Sequence, residues 1–584
     1  MALSTPSASP AVVVKEIDLT GGVPNVQSTT GAIVGNYRWG PAEQRVLIDN
    51  ETSLVNTFAS PDSANTIDFH NASYFLRYSG SLQVVREVTS DAKNARATIG
   101  QLATDTNSSL PTEIVKNDDD FAAQEAALDS DSHTLIARYP GELGNSLRVS
   151  ICPPNDSAFT DWAYKDEFDA KPGTSDYATK QAASNDEIHV VVVDNDGKLT
   201  GTKGTILERY PFMSVAADAK NTDGTTNFVK DVINARSEYV HFVGFDSDYS
   251  TARGNGVVDS GDDFDPSLTA ATNYDFDKGV NSKALGTSEY MSGYDLFEDK
   301  DIVEVDFLIA PSMNSRTDQT TVVNDLIATA QNTRKDCVVT ASPARSDVVN
   351  LTNTATITTN VTATADTFTN SSYLVADGNF LKVYDKYNDQ YIQIPAASST
   401  AGIMAATDLN RAPWFSPAGT RRGGYLGITS ISWSPTKAQR DTLYKAGVNP
   451  IANIPGQGVL LFGDKTKLNR PSAFDRINVR RLFLVLERAI GKAAEQVMFE
   501  FNDEFTRAEF VNIVEPVLRE VKGRRGITDF RVVCDETNNT GAVVDRNEFV
   551  ANIFIKPARS INYVTLNFVA VRTGVDFEEV VGTV

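Results

Sequence analysis

The chain is short of the side chains that carry most enzyme chemistry. Its 584 residues hold four histidines and three cysteines. Cys152, Cys337 and Cys534 are far apart and form no CxxC pair, so no disulfide framework is expected and a reducing compartment is. A Ser-His-Asp triad needs a histidine within reach of a serine. Only His70, His133, His189 and His241 are available, and the latter two sit in strand-like runs where packing or surface roles are expected. There is no GxSxG elbow, no HExxH and no GxxxxGK[ST] phosphate loop. No run approaches the roughly 20 apolar residues of a membrane helix. The opening MALSTPSASPAVVVKEIDL has no basic leader, and its apolar run at 11–14 is too short for a signal peptide. Positive charge is also scarce. A net charge of −23 argues against a general nucleic-acid binder, which needs a basic surface for phosphates. These absences lead to the expectation of no catalysis, cofactor, metal, nucleic acid or membrane, in a protein made and kept in the cytoplasm.

What is present is a long series of periodic segments, enough for two to four domains. The strongest lies near the C-terminus. Val479, Leu482, Phe483, Leu486, Ile490, Ala493 and Val497 recur at three and four, which predicts a helix with Ser472 as its N-cap. Thr506 and Glu509 have capping-box spacing ahead of a second helix carrying Phe510, Ile513, Val514, Val517, Leu518 and Val521. Pro516 is expected to kink or shorten it. The period then changes to two at Phe530, Val532 and Cys534, at Phe549, Ala551, Ile553 and Ile555, and at Tyr563, Thr565, Asn567 and Val569, predicting three strands. Together these make an α+β unit.

Upstream, residues 290–342 alternate helix and strand patterns, so parallel pairing is expected there. Residues 187–240 predict two strands joined by a turn at 195–197, then a helix near 228–235. Asp194, Asp196 and Gly197 invite a calcium reading, but the further ligands of a binding loop are missing. Residues 351–372, rich in Thr, Asn and Ala, are expected to be loop or edge strand. Residues 90–185 turn polar and predict a mostly β insertion, and 246–283 an acidic surface loop. The one basic concentration runs from Arg470 to Lys492, six basic residues against Asp475 and Glu487. Arg476 and Arg480 share a helical face.

The ordered segments INVRRLFLVLERAI, VMFEFND, VVCDETNNT and NEFVANIFIKPARSINYVTLNF resemble the C-terminal domain of contractile-tail sheath proteins of tailed bacteriophages, in the T-even-like branch. The resemblance continues upstream at Gly35, Gly40-Pro41, HTLIARYPGELGNSLRVSI and NFLKVYDKYNDQYIQIP. It is closest in AGIMAATDLNRAPWFSPAGTRRGGYLGI and LYKAGVNPIANIPGQGVLLFGDKTK. It implies a multidomain α+β and α/β fold. The implied layout is an N-terminal arm at 1–20, a subtilisin-like middle domain at 21–95 and 186–465, an outer mostly β insertion at 96–185, an inner domain at 466–574 and a C-terminal arm at 575–584. It further implies hexameric rings stacked in a helical array around a tail tube, with baseplate and tail terminator proteins as further partners, in a virion assembled in the host cytoplasm. The sheath shortens to drive the tube through the host envelope. Neighbouring subunits would exchange strands through Val12, Val14, Glu16, Tyr563, Thr565, Asn567, Val575 and Phe577. Arg476, Arg480, Arg481 and Arg488 would turn a basic patch to the tube. Rival readings are the sheath of a contractile bacteriocin or injection particle, a subtilisin-like hydrolase, and a surface-layer protein.

Overall fold

A computed structural model describes residues 29–97, 114–130, 135–244, 257–264 and 270–562. The chain divides into two compact units. The larger takes Val26–Pro413 and Pro417–Arg488, and the described part of the smaller takes Trp414–Ser416 and the chain from Ala489.

The larger unit is built on a seven-stranded sheet. Its order is Val448–Asn449, Leu374–Asp377, Val338–Ala341, Phe307–Ile309, Gly31–Gly35, Leu82–Arg86 and Arg45–Ile48, every neighbour parallel except the last. Short, continuously apolar strands of this kind need cover on both faces. Ala32 and Val34 point into one core with Tyr290 and Tyr294 of helix Thr287–Asp295 and Val322, Val323 and Leu326 of helix Arg316–Ala328. Ile33, Phe307 and Ile309 point the other way, onto Phe69 and Phe75 of helix Thr66–Leu76 and Ala401 and Met404 of helix Ala397–Asn410. The expected alternation at 290–342 is this sheet. Asn50 starts helix Glu51–Phe58 by accepting from Ser53 N at 2.8 Å.

The segment 351–372 is neither loop nor edge strand but helix Thr354–Thr367. Asn353 caps it, and Ile357, Val361 and Ala365 bury one face. Its threonines fold their hydroxyls back on the helix, with Thr358 donating to Thr354 O at 2.7 Å and Thr362 to Thr358 O at 2.8 Å. The propensity penalty of threonine is overridden by the buried stripe.

The insertion is larger than 96–185. Strand Leu147–Cys152 pairs over its whole length with Glu187–Asp194, which pairs with Thr205–Ser214, while Thr272–Asp275 closes the other edge. A second antiparallel sheet joins Asn94–Ala97, Leu135–Pro140 and Val240–Phe242. Both sheets line one core that takes in Trp39 and then runs from Ala95 to Phe276. The chain enters and leaves side by side, since Lys93 and Val280 exchange two backbone hydrogen bonds of 3.0 Å. A boundary at 185 would fall between paired strands. Helix Asp118–Ser130 lies within this insertion beside its strands. Arg86, at the end of strand Leu82–Arg86, is fully buried and donates to the carbonyls of Tyr37, Gly40 and Pro140, the last belonging to the insertion. Burial pulls its pKa down to about 9.

Helix Ile477–Glu495 follows the expected periodicity, but Ser472 caps only the short 3-10 turn Ala473–Asp475 before it. In the smaller unit helix Glu504–Gly523 starts from Asp503, whose carboxylate accepts from Thr506 N at 2.9 Å, not from a box at Thr506. Pro516 does not break it. The ring sits on the exposed side, as does Asn512, whose carbonyl has no N–H to meet at position 516. Phe510, Val514, Leu518 and Val521 bury the other side. Strands Ile527–Val533 and Asn552–Pro557 pair antiparallel, with Phe530 opposite Ile555 and Val532 opposite Ile553. Trp414 donates to Arg524 O at 3.2 Å in the same unit. The third expected strand, from Tyr563, lies outside the described residues. Among the described residues no helix is long and apolar enough to cross a membrane.

Candidate functional site

The polar groups that invite a chemical reading are committed to holding the fold. His189 meets Ala170 O at 2.8 Å and the N–H of Phe212 at 3.0 Å, so backbone occupies both ring nitrogens. His241 is stacked on Phe121 at 3.9 Å, and burial pushes its pKa down to about 3. His70 lies 3.1 Å from Asp385, whose other oxygen accepts from Thr66. Burial alone would raise the Asp385 pKa, but bonds from Asn388, Thr66 and His70 outweigh it and hold the carboxyl at about 2. Asp194, once a calcium candidate, accepts from Ser146, from the N–H groups of Leu199 and Thr200, and from the Thr200 hydroxyl, the arrangement of a closed turn. Among the described residues no group of three or more His, Cys, Asp or Glu is placed to hold a metal ion. All three cysteines are buried thiols.

The arginine helix is a different matter. The four arginines expected to form a patch open to a partner are engaged inside the larger unit. Arg476 Nη1 meets Asp464 at 2.9 Å and the Tyr444 hydroxyl at 2.5 Å. Arg480 is buried, bonded to the Ser372 hydroxyl at 2.9 and 3.1 Å and stacked over Tyr373 and Phe474. Arg481 grips buried Asp408 with both guanidinium nitrogens and lies 4.6 Å above the Phe307 ring. Arg488 pairs with Asp306 at 2.8 Å and donates to Asp336 O at 3.0 Å. The physical reason is desolvation. A guanidinium under a helix face needs a carboxylate or carbonyl beside it, and this sheet supplies Asp306 just before a strand, while its covering helix supplies Asp408. The sequence offered no hint of this, since the partners lie 12 to 183 residues away. The helix as far as Arg488 packs as part of the larger unit.

The smaller unit shows the opposite pattern. The turn between helices Ile477–Glu495 and Glu504–Gly523 leaves Phe499 fully exposed, with Phe501 83%, Phe505 76% and Met498 56% exposed. Phe499 also sits at φ 69°, a conformation that costs a bulky residue strain. Glu500, Asp503 and Glu504 stand between these rings, all exposed. Isolated exposed apolar residues are ordinary; four large ones within eight residues mark an interaction surface. The two-stranded sheet nearby is marginal by itself, with Phe554 and Ile561 exposed. The residues expected to exchange strands, Val12, Val14, Glu16, Tyr563, Thr565, Asn567, Val575 and Phe577, lie outside the described residues.

Comparison with known proteins agrees with a chain whose business is contact. Residues 283–467 match the phage tail sheath protein central domain, and residues 469–570 the phage tail sheath C-terminal domain. The chain is 32% identical to the tail sheath protein of Vibrio phage KVP40, covering 98% of this chain and 99% of that protein. It is likewise 32% identical to the tail sheath protein of Enterobacteria phage T4, again over 98% of this chain and 99% of the relative. In fold it is similar to the crystal structure of the sheath tail protein of Listeria innocua, with a TM-score of 0.53, 12% identity and coverage of 92% of this chain and 94% of that one. The chain belongs to the phage tail sheath family, in its T-even-like branch, as a structural subunit of a contractile tail sheath.

Proposed function

We propose that the subunits polymerise as stacked hexameric rings around the tail tube, between baseplate and tail terminator, and that the array shortens to drive the tube through the host envelope. The subunits are made in the host cytoplasm and end in the virion tail. The observation that supports polymerisation is the contrast within one chain. The larger unit buries its sheet on both faces, whereas the smaller unit carries exposed aromatic rings and a sheet with, among the described residues, only two strands and no further strand on either edge. Such edges are ready templates for a neighbour's strand. Backbone pairing of this kind tethers subunits while side-chain contacts are exchanged, as a bistable array requires. The parallel sheet covered on both faces supports the likeness of the middle domain to subtilisin, as a scaffold without its chemistry.

Negative-stain microscopy of the purified protein tests this. Tubes or cogwheel rings are expected, and dispersed monomers at high concentration would count against it. Deleting residues 1–20, or truncating after Gly574, should leave the thermal melt of the dispersed subunit unchanged and abolish polymers in sedimentation. Each strand so removed forfeits about four hydrogen bonds, each contributing about 0.5–1.5 kcal/mol.

A further inference from the structure

The acidic aromatic turn has a counterpart elsewhere on the chain. In the larger unit the segment after helix Ala397–Asn410 carries Arg411, Arg421 and Arg422, in a chain of net charge −23. Arg411 and Arg421 are exposed and Arg422 is half-buried. The bridge between Gly424 and Leu460, with the 2.8 Å bond from Leu461 N to Gly423 O, sets the backbone that follows Arg421 and Arg422 against the backbone that precedes Phe462. Phe462 is itself exposed, and the Arg440 guanidinium lies 5.6 Å from its ring centre. Burial, and then the neighbouring Arg411 and Arg421 charges, push the Arg422 pKa down, as expected where like charges are crowded. An apolar ring with a basic rim is thus presented by one unit, and apolar rings with acidic residues between them by the other.

We propose that the turn carrying Met498, Phe499, Phe501 and Phe505 in one subunit docks on the face formed by Arg411, Arg421, Arg422, Arg440 and Phe462 of a second copy. The inference rests on the sheath reading and names one of its contacts. The two surfaces are different parts of the same chain, so the contact is head-to-tail. A head-to-tail contact repeats, closing a ring or extending a helix, and does not stop at a dimer. Opposite charge at the rim sets the partner and the register, while the rings supply buried area. The contact also accounts for the fully exposed Phe499 in a strained conformation, which serves nothing within the subunit.

Reciprocal charge reversal tests this on the full-length chain. Glu500→Lys with Glu504→Lys, and separately Arg421→Glu with Arg422→Glu, should each raise the concentration needed for polymerisation by at least ~10-fold, one lost charge pair being worth that much. Thermal melts of the dispersed subunits should match wild type. An equimolar mixture of the two variants should polymerise near the wild-type threshold, because each lysine turn then finds a glutamate face and each glutamate turn an arginine face. Phe499→Ala with Phe501→Ala should raise the threshold without rescue by either partner. Wild-type thresholds in both reversal variants, or no rescue on mixing, overturn the docking. Absence of polymer from wild type overturns the sheath reading instead.

Discussion

The larger and smaller units solve the problem of burial in opposite ways. In the larger one, cations that reach the interior find anions of the same unit, as Arg481 finds Asp408 and Arg488 finds Asp306. In the smaller one, rings that ought to be inside remain outside, and an acidic turn displays them. The proposed exchange of neighbours without unfolding would need both. One part must be complete by itself, and the other must be completed only by assembly.

The most drastic way to break this contrast is to misplace the edge of the self-sufficient part. Excising residues 96–185 should give insoluble protein, because strand Leu147–Cys152 is taken from Glu187–Asp194. Excising 95–278 through a short Gly/Ser link should leave a folded unit, since Lys93 and Val280 are already neighbours. Solubility and circular dichroism of the two deletions decide it.

Removing one partner of a buried pair comes next. Arg481→Ala strands the Asp408 carboxylate and should cost about 3–5 kcal/mol in urea unfolding of the dispersed subunit. Arg481→Met with Asp408→Leu should recover most of that. A small effect of the single change would mean that the pair is solvated.

Protons reach the same unit more gently. Burial raises the pKa of Glu87 to about 8, of Asp377 to about 7 and of Asp68 to about 6. For a carboxyl raised on folding, stability is fully present below its unfolded pKa and is lost as pH rises through the folded one. The melting temperature should therefore fall between about pH 4 and pH 8 from these three groups. Asp385, lowered to about 2, acts oppositely and only in more acid solution. Glu87→Gln should flatten the alkaline end of the melting profile. An unchanged slope would show that water reaches this carboxyl.

The smallest expected effect carries the other sign. Phe499→Gly relieves the positive φ at a side chain with no contact to lose, and should stabilise the dispersed subunit by ~0.5–1 kcal/mol while weakening polymers. A loss of subunit stability would place Phe499 in the unit's own packing.

How much of this the sequence disclosed depended on the range of the interaction. Helices Ile477–Glu495 and Glu504–Gly523 and the parallel strands were legible, because their periods are local and strong. Helix Thr354–Thr367 was not, because threonine suits a strand and only three apolar residues per four turns mark the buried face. The insertion's far edge was missed because the pairing of Ile151 with Val190 leaves no local trace. The arginine run was conspicuous, but its direction was hidden, since four cations on a helix look alike whether they meet water or Asp408. The exposure of the run VMFEFND was missed as well, since large apolar rings beside a helical stripe look alike whether they are covered or not.

Arg86 shows what such a fold can bear. Its permanent charge is held by carbonyls of Tyr37, Gly40 and Pro140, two from the central framework and one from the insertion. Drawing the insertion away would leave a cation in a dry site with a third of its support gone. Tension applied to the insertion is thus carried through Arg86 into the parallel sheet and spreads over the strands hydrogen-bonded beside it. The guanidinium is one fastening among several between insertion and framework, beside the bond from Ala42 N to Lys116 O and the packing of Trp39 on Tyr139, and it is the one that carries a charge into the joint.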